Sequence, residues 1–285
     1  MKLLFVGDIA LGDHPKAVGF GFYSKYKDGI PGQMAEQLYP HGIRADLIFG
    51  NLEFGLADEE IHGHSIHEVY CRGMKRYVTF LREAGFSVLN MANNHQYQHG
   101  KKHFADTIDN LKSGGIRVCG TPDDFSAENI LKVAGQSVAF LGWSERPRQD
   151  FSETSLYNEF DEETAYLDIE RMSKMVDLLC VSIHWGEEFV GIMNERERTI
   201  ARNMIDHGSS IVIGHHPHVI REVESYHGGI IAYSLGNFIC DMIWNNKTKE
   251  SGFLCVEIEG DKVLGHSFHP AIIGNDYFPH YLPSE

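Results

Sequence analysis

Short apolar runs, rich in β-branched residues, recur along this chain of 285 residues. Most are flanked by glycine, aspartate or serine, and several show no alternation of polar and apolar side chains. Continuously apolar strands are typical of sheets that are covered on both faces. The runs that predict such buried strands are LLFVG, DLIFG, FSVLNM, GIRVCG, VAFLGW, LLCVSIHW, SSIVIG, GIIAYSL and GFLCVEI.

Helix-like segments lie between these runs. Residues 74–84 and 101–113 carry apolar side chains at helical spacing, and the second segment ends before two glycines. Residues 194–207 begin at Asn194, a favourable N-cap residue. Strands that alternate with helices, followed by a strand-rich last third, predict an α/β fold with some antiparallel pairs. Because no linker, repeat or low-complexity tract divides the chain, we expect residues 1–285 to form one domain.

Composition limits the classes of partner and the compartment. The formal net charge of −15 predicts that nucleic acid is not a partner, because such binding depends on Lys and Arg neutralising phosphates. The five cysteines are scattered without a C-x-x-C pair, which fits a reducing compartment and gives no thiolate zinc site. The first apolar run is interrupted at Gly7, too early for a signal peptide or a membrane span. We therefore expect a cytoplasmic protein without a membrane segment.

Polar side chains follow six of the predicted strands at the point where each run ends. In α/β folds, functional groups collect at the carboxyl ends of strands. The side chains at these ends are carboxylates, amides and imidazoles, which suit zinc, iron(II) or manganese. They are Asp8, Asn51, Glu53, Asn93, Asn94, His95, His184, Glu187, Glu188, His215, His216, His218 and Asn237.

The segment GHHPH, residues 214–218, carries the strongest signal for metal binding. At an extended strand end, residues two apart point to the same side, so the rings of His216 and His218 can meet one ion. Pro217 between them would stiffen that arrangement. A lone histidine after a strand is more often a core residue, and NNH alone is compatible with a turn. The coincidence of donors at successive strand ends nevertheless favours one shared metal site.

A second histidine-rich stretch, EEIHGHSIHEVY, follows Glu53 in a polar segment. Histidine-rich tracts bind metal in some proteins, but a flap over the site or a solvated loop explains this stretch better. Arg72 lies just beyond it. This residue either clamps a phosphate or carboxylate of a substrate or forms a surface salt bridge.

Six motifs, in order along the chain, resemble the CapA family of poly-γ-glutamate capsule synthesis proteins, which looks like a branch of the calcineurin-like metallophosphoesterases. They are GDIALG, GNLE, ANNH, HWGEE, IGHHPHVI and AYSLGNF, and the resemblance runs from residue 3 to about residue 258. The resemblance implies a four-layer α/β sandwich, in which two mixed β-sheets pack face to face with helices outside. It also implies a metal centre at one edge of that sandwich.

The same resemblance suggests roles for single positions. Glu53, or less favourably Asn51, would stand in for the usual bridging aspartate, and Glu53 would also act in catalysis, together with His95 near the phosphate. The expected metal ligands are Asp8, Glu53, Asn94, His184, His216 and His218. The residues expected to contact substrate, some from their position alone, are Arg72, Asn51, His215 and Asn237.

The chain departs from the family pattern at three places. Ala10 stands where metallophosphoesterases usually have the histidine of Asp-x-His, and GNLE replaces their Gly-Asp-x-x-Asp motif. Gln98 stands where capsule relatives often have an aspartate. The first two departures weaken the expectation of a tightly held second metal, so we expect one or two divalent ions. Many relatives also have a membrane anchor, which we do not expect here.

These residues lead to three functional hypotheses. The first is hydrolysis of a small phosphoester by a metal-activated water, with His95 protonating the leaving oxygen. The second is hydrolysis or transfer of γ-glutamyl amides at the same centre. The third is a non-catalytic factor in capsule assembly with a degenerate metal site, supported by Ala10 and Gln98. The aromatic tail YFPHYLPSE is compatible with a homo-oligomer as well as with a monomer.

Overall fold

The computed structural model describes residues 1–58, 69–146 and 156–281. The histidines of EEIHGHSIHEVY and the last four residues of the tail fall outside these ranges. The strands are β1 (Lys2–Ile9), β2 (Leu47–Leu52), β3 (Gly55–Leu56), β4 (Arg72–Gly73), β5 (Phe86–Asn90), β6 (Arg117–Cys119), β7 (Leu131–Val133), β8 (Gln136–Ser144), β9 (Leu178–His184), β10 (Ile211–His215), β11 (Val223–Tyr226), β12 (Gly229–Ala232), β13 (Asn237–Ile239), β14 (Glu250–Glu259), β15 (Lys262–Ile273) and β16 (Pro279–Tyr281). The α-helices are α1 (Phe22–Tyr26), α2 (Gln33–Glu36), α3 (Tyr77–Glu83), α4 (Gly100–Ser113), α5 (Glu162–Ser173), α6 (Glu195–Asp206) and α7 (Asn246–Lys249).

Most of the strands belong to two mixed sheets. The first sheet has the order β16-β15-β14-β1-β2-β5-β6, with β13 paired to the end of β1. Its strands β1, β2, β5 and β6 are parallel, whereas β14, β15 and β16 are antiparallel. The second sheet has the order β11-β12-β10-β9-β8-β7, with a parallel centre and an antiparallel strand at each edge. This topology confirms the predicted mixed sheets and the antiparallel pairs of the last third.

The two sheets pack face to face. Phe5 and Phe49 from the first sheet share a buried apolar cluster with Phe140, Cys180 and Ile213 from the second. The rings of Phe49 and Phe140 stack across the interface with their centroids 5.0 Å apart. Successive residues of a strand point to opposite faces, so the other half of each strand must be covered from outside.

Helices provide that outer cover. The outer face of the first sheet packs against α3 and α4, through side chains such as Leu81 and Phe104. The outer face of the second sheet packs against α5 and α6, through Ile169 and Ile200. Every residue of β9 is therefore buried, as the absence of polar alternation in its sequence predicted. The order helix, sheet, sheet, helix confirms the four-layer sandwich.

The three predicted helices are present as α3, α4 and α6. α3 begins at Tyr77 rather than at residue 74, because the preceding residues form a turn in which the N–H of Tyr77 donates to the carbonyl of Met74. α6 starts at the predicted N-cap, where the Asn194 side chain accepts from the N–H of Glu197 and the Glu197 side chain accepts from the N–H of Asn194. None of the helices in the described ranges is both long and apolar enough to cross a membrane.

The segment AYSLGNF differs from the single strand that its sequence predicted. β12 ends at Ala232 in the second sheet, and Asn237 begins β13 in the first sheet, opposite Asp8. The chain crosses between the sheets at Gly236, whose φ of 66° favours glycine. This crossing carries Asn237 to the strand that holds Asp8.

Candidate metal centre

Strands from both sheets bring polar side chains to one edge of the sandwich. Among the residues that the structure describes, the donor atoms form three groups, and within each group they lie within 4.8 Å of one another. The groups are Asp8 with Glu53 and His218, Glu53 with His184 and His216, and Glu188 with His216 and His218. The first two groups are fully buried and share Glu53, whereas Glu188 is exposed. The structure therefore brings together five of the predicted ligands, namely Asp8, Glu53, His184, His216 and His218.

Asp8 is fully buried and surrounded by donors. Its Oδ1 accepts from Asn51 Nδ2 at 2.8 Å and lies 3.3 Å from His215 Nδ1. Its Oδ2 accepts from the backbone N–H of His216 at 3.2 Å and lies 3.4 Å from His218 Nδ1. Burial alone would raise the pKa of Asp8, but the interactions with His215 and His218 hold this pKa well below its usual range. Asp8 is therefore ionised, which is the form that binds cations.

Glu53 is buried, and neither of its oxygens has a hydrogen-bond partner within the part of the chain that the structure describes. His218 Nε2 lies 3.5 Å from its Oε1, and His95 Nε2 lies 4.0 Å from the same atom. Burial raises the pKa of Glu53 to about 8, because the attraction to His218 offsets the loss of water only in part. A buried carboxyl group without partners is unfavourable, which indicates that a ligand belongs beside it.

His218 lies between two carboxyl groups. Its Nδ1 is 2.9 Å from Asn237 Oδ1 and 3.4 Å from Asp8 Oδ2, and its Nε2 faces Glu53. Burial alone would lower the pKa of His218, but Glu53 and Asp8 raise it to about 10. The imidazole is therefore protonated in the metal-free protein. Its positive charge occupies the position that a cation would take.

His216 is buried, and neither of its ring nitrogens has a hydrogen-bond partner among the described residues. Its ring centroid lies 4.8 Å from that of His184 and 5.9 Å from that of His218. Burial, together with the charge of His218, lowers the pKa of His216 to about 2. The ring is therefore neutral, which is the form in which histidine binds metal ions.

The backbone of GHHPH is not the extended strand end that the sequence predicted. β10 ends at His215, and the next residues turn, with φ of 94° at His216 and 56° at His218. Positive φ is unfavourable for residues with a side chain. The bond from the His216 N–H to Asp8 and the contact of His218 with Asn237 oppose this cost. The rings of His216 and His218 thus approach each other because of a strained turn, and not because alternate residues of a strand point to the same side.

His184 and Asn94 face each other. His184 Nε2 lies 2.8 Å from Asn94 Oδ1, and its Nδ1 lies 3.4 Å from Asn51 Nδ2. Burial, reinforced by the nearby His216, holds the pKa of His184 well below its usual range. Metal binding through Nε2 of His184 or through Oδ1 of Asn94 requires this hydrogen bond to open.

A network of asparagines, which the sequence reasoning did not assign as a unit, supports Asp8. Asn51 Oδ1 accepts from Asn90 Nδ2 at 2.9 Å and from Asn93 Nδ2 at 3.3 Å. Asn93 Nδ2 also donates to the carbonyl of Leu52 at 2.8 Å. Because its oxygen is held by two donors, Asn51 must present its NH2 group to Asp8. The sequence signal for this network is Asn90, which ends β5 and directly precedes MANNH.

His95 is on the more open side of the cluster, with 18% of its side chain exposed. Its Nδ1 lies 2.9 Å from Gln98 Oε1, and its ring packs edge-on against Phe54 at 5.3 Å. Burial lowers the pKa of His95. Gln98, the residue that departs from the family pattern, therefore contacts His95 directly.

The residues predicted to contact substrate are buried. His215 and Asn51 adjoin Asp8, as described above. Asn237 contacts His218 through its Oδ1 and donates from Nδ2 to the carbonyl of Thr248 at 3.1 Å. Arg72 is the first residue of β4. Its backbone lies so close to Gly12 that a side chain at position 12 would collide with it. Three of these residues therefore hold predicted ligands in place.

The donor set fits a divalent cation. It combines carboxylate, imidazole and amide groups, and the grouped donors among the described residues include no cysteine. The buried atoms of Glu53 and His216 that lack hydrogen-bond partners are the observation that best supports this fit.

The four-layer sandwich is a metallophosphoesterase-like fold. The crystal structure of 5'-nucleotidase from Candida albicans SC5314 has a similar fold, with a TM-score of 0.50 and 12% sequence identity. The similarity covers 97% of this chain and 53% of that one. It concerns the fold alone.

Residues 2–242 match the family described as "Bacterial capsule synthesis protein PGA_cap", and the chain belongs to this family. It is 30% identical over 270 residues to "Capsule biosynthesis protein CapA" of Bacillus anthracis, which covers 89% of this chain and 63% of that protein. It is 31% identical over 257 residues to "PGA biosynthesis protein CapA" of Bacillus subtilis (strain 168), which covers 88% of this chain and 66% of that protein. The chain thus matches less than two thirds of the length of either relative, and the resemblance to the CapA family is confirmed.

Proposed function

We propose that this chain is a metal-dependent hydrolase that acts on a small phosphoester. The observation that carries the proposal is the pair of buried donor groups that share Glu53, whose oxygens have no hydrogen-bond partner among the described residues. Such atoms are expected to be satisfied in a native protein, and a cation satisfies them. The metallophosphoesterase-like fold supports the choice of a phosphoester.

The two buried groups suggest how ions would be held. Asp8 and His218 would bind one ion, His184 and His216 would bind a second, and Glu53 would bridge both. Asn94 would join through its Oδ1 after separating from His184. A divalent cation bound there supplies Lewis acidity, which lowers the pKa of water and stabilises charge on a phosphoryl oxygen. Manganese, iron(II) and zinc all suit these donors.

The chain's own residues supply proton transfer and orientation. We assign His95 as the general acid: Gln98 Oε1, 2.9 Å from Nδ1, would orient the ring, and the protonated ring, a minor form at pH 7 because burial lowers its pKa, would give the proton on Nε2 to the leaving oxygen. Asn51 and Asn237 orient Asp8 and His218. We assign Arg72 as a contact for the acidic group of the substrate.

The test combines metal analysis with a substrate screen. Protein purified without chelators should contain a divalent metal, and it should hydrolyse p-nitrophenyl phosphate when manganese is present. His216→Ala should lower the metal content and abolish turnover, because it removes a buried ligand, whereas His266→Ala, an exposed histidine on β15, should change neither. Unchanged metal occupancy in His216→Ala contradicts the ligand assignment. Bound metal without turnover of any ester would favour a non-catalytic factor in capsule assembly.

The names of the relatives favour a second candidate. Because the Bacillus proteins are described as capsule and PGA biosynthesis proteins, a γ-glutamyl amide is an alternative substrate. An activated water at the same centre can attack a carbonyl carbon as well as phosphorus. Turnover of γ-glutamyl peptides without turnover of phosphate esters would support this candidate and contradict the first.

A further inference from the structure

A buried ion pair lies next to the metal centre but outside the donor groups. Arg221 Nη1 donates to Glu197 Oε2 at 3.0 Å, and both side chains are almost fully buried. Arg221 follows His218 by three residues, and Glu197 belongs to the first turn of α6. Buried charges are retained only where they are paired and hydrogen-bonded, so this pair requires a structural explanation.

Arg221 also holds the turn that follows β9. Its Nε donates to the carbonyl of Val190 at 2.8 Å, and its Nη2 lies 3.4 Å from the carbonyl of Glu187. The N–H of Val190 donates to the same Glu187 carbonyl at 3.4 Å. One planar guanidinium group therefore fixes both ends of this turn, which a lysine ammonium group cannot do with the same geometry.

Glu197 holds the guanidinium group of Arg221 in place. Its Oε2 also accepts from the N–H of Asn194 at 3.0 Å, in the capping box of α6. Gly186 has a φ of 77°, and a methyl group there would lie 2.6 Å from Glu197 Oε1 and 2.9 Å from Arg221 Nη1. Gly186, at the start of the turn, thus packs directly against the ion pair.

The turn presents two side chains to the metal centre. The carboxylate of Glu188 forms a donor group with His216 and His218, and it is the exposed member of that group. The N–H of Phe189 donates to the carbonyl of Pro217 at 2.8 Å, and its ring lies 6.1 Å from that of His218. The position of the turn therefore determines where a third carboxylate meets the two histidines.

We infer that Arg221 is a positioning residue, which acts through the turn at residues 186–190 to place the Glu188 carboxylate beside His216 and His218, the two histidines that adjoin the bound metal. The inference rests on the proposed function. Arg221 does not contact the cation itself. Groups that orient metal ligands typically change metal affinity by about 10- to 100-fold when they are replaced.

The test is a double-mutant cycle on the full chain, read out as manganese affinity by calorimetric titration. Arg221→Lys keeps the positive charge but loses the planar guanidinium group that contacts Glu197 and both turn carbonyls. It should weaken manganese binding about tenfold. Glu188→Gln should weaken binding to a similar degree. The double variant should bind no more weakly than Glu188→Gln alone, because Arg221 acts through that carboxylate.

Arg202→Lys is the matched control, since Arg202 pairs with Glu224 and also ties α6 to the segment after β10, but away from the donor groups. It should leave manganese affinity unchanged. If Arg221→Lys does not fold, as judged by circular dichroism, Glu197→Gln replaces it in the same cycle. Additive losses in the double variant, or unchanged affinity in Arg221→Lys, overturn the role of Arg221 but leave the proposed function standing. Wild-type protein that binds no manganese overturns the proposed function and the inference with it.

Discussion

Two side chains of the metal centre carry protons that a cation would have to displace. Burial raises the pKa of Glu53 to about 8, and the carboxyl groups of Glu53 and Asp8 raise the pKa of His218 to about 10. His216 and His184 are already neutral, because their pKa values are lowered. Both shifts favour protons on Glu53 and His218 in the metal-free centre, and the two protons are coupled, because Glu53 raises the pKa of His218 only when Glu53 is ionised.

Manganese binding at pH 7 should therefore release at least one proton per chain. Ligands bind metal in their deprotonated forms, and both Glu53 and His218 have pKa values above 7 in the metal-free protein. The apparent affinity should consequently rise with pH, by about tenfold per pH unit for each proton released, until the pH passes the pKa of the group. Titration calorimetry in buffers with different protonation enthalpies measures this number. Binding that releases no proton between about pH 6 and 8 would show that Glu53 and His218 are already deprotonated in the metal-free protein.

Gln98 illustrates what a single residue can and cannot reveal from sequence. Its departure from the family pattern was visible, but its contact with His95 Nδ1 was not. A neutral amide fixes the orientation of the imidazole but stabilises its charged form less than an aspartate would. Burial lowers the pKa of His95, and Gln98 offsets this only in part.

At the scale of elements, the close approach of β1 and β13 positions the carboxylate of Asp8. The N–H of Asp8 donates to the carbonyl of Gly236 at 2.9 Å. A methyl group at Gly7 would lie 1.9 Å from that carbonyl oxygen, so only glycine fits at this crossing. The first glycine of the GDIALG motif, Gly7, is thus explained by packing between two strands.

Gly7→Ala should lower the free energy of unfolding by about 1–3 kcal/mol, because the added methyl group must displace β13 from β1. Urea denaturation measures this loss, and the metal content should fall with it since Asp8 is the next residue. Gly265→Ala on β15 is the matched control, because nothing lies within 4 Å of a methyl group there. Equal stability of the two variants would contradict the steric explanation.

Strands with a buried, apolar sequence were predicted, whereas some strands and helices with a mixed sequence were not. Each of the apolar runs contains a strand, because burial on both faces leaves a continuous signal. β15 escaped prediction because much of it is exposed, which breaks the apolar run. α5 was missed although its N-cap, Asp161, accepts from the N–H of Thr164 at 3.0 Å.

At the scale of the whole molecule, the donor groups join the two sheets. Asp8 and Glu53 come from the first sheet, whereas His184, His216 and His218 come from the second. The sheets also share the buried cluster around Phe49 and Phe140. We therefore propose that residues 1–285 form one domain, in which a cation would add a link between sheets that already pack together.

Urea unfolding should accordingly occur in one transition, seen at the same midpoint by far-ultraviolet circular dichroism and by fluorescence of the buried Trp143 and Trp185. Manganese should move this whole transition, by about 2.7 kcal/mol at a concentration 100 times its Kd. A second transition that manganese leaves unmoved would contradict the single domain, because it would identify a part of the chain that unfolds without the centre.

The sequence by itself determined where the continuously apolar strands lie along the chain and which residue types follow them, because both depend on local patterns of residues and on motifs. The tertiary structure decided the rest. It bent GHHPH into a turn, moved Asn237 to the opposite sheet and set Arg221 under the turn that carries Glu188. It also fixed the charge states, since a pKa depends on burial and on neighbours that are distant along the chain. Such properties arise only when the two sheets are packed together.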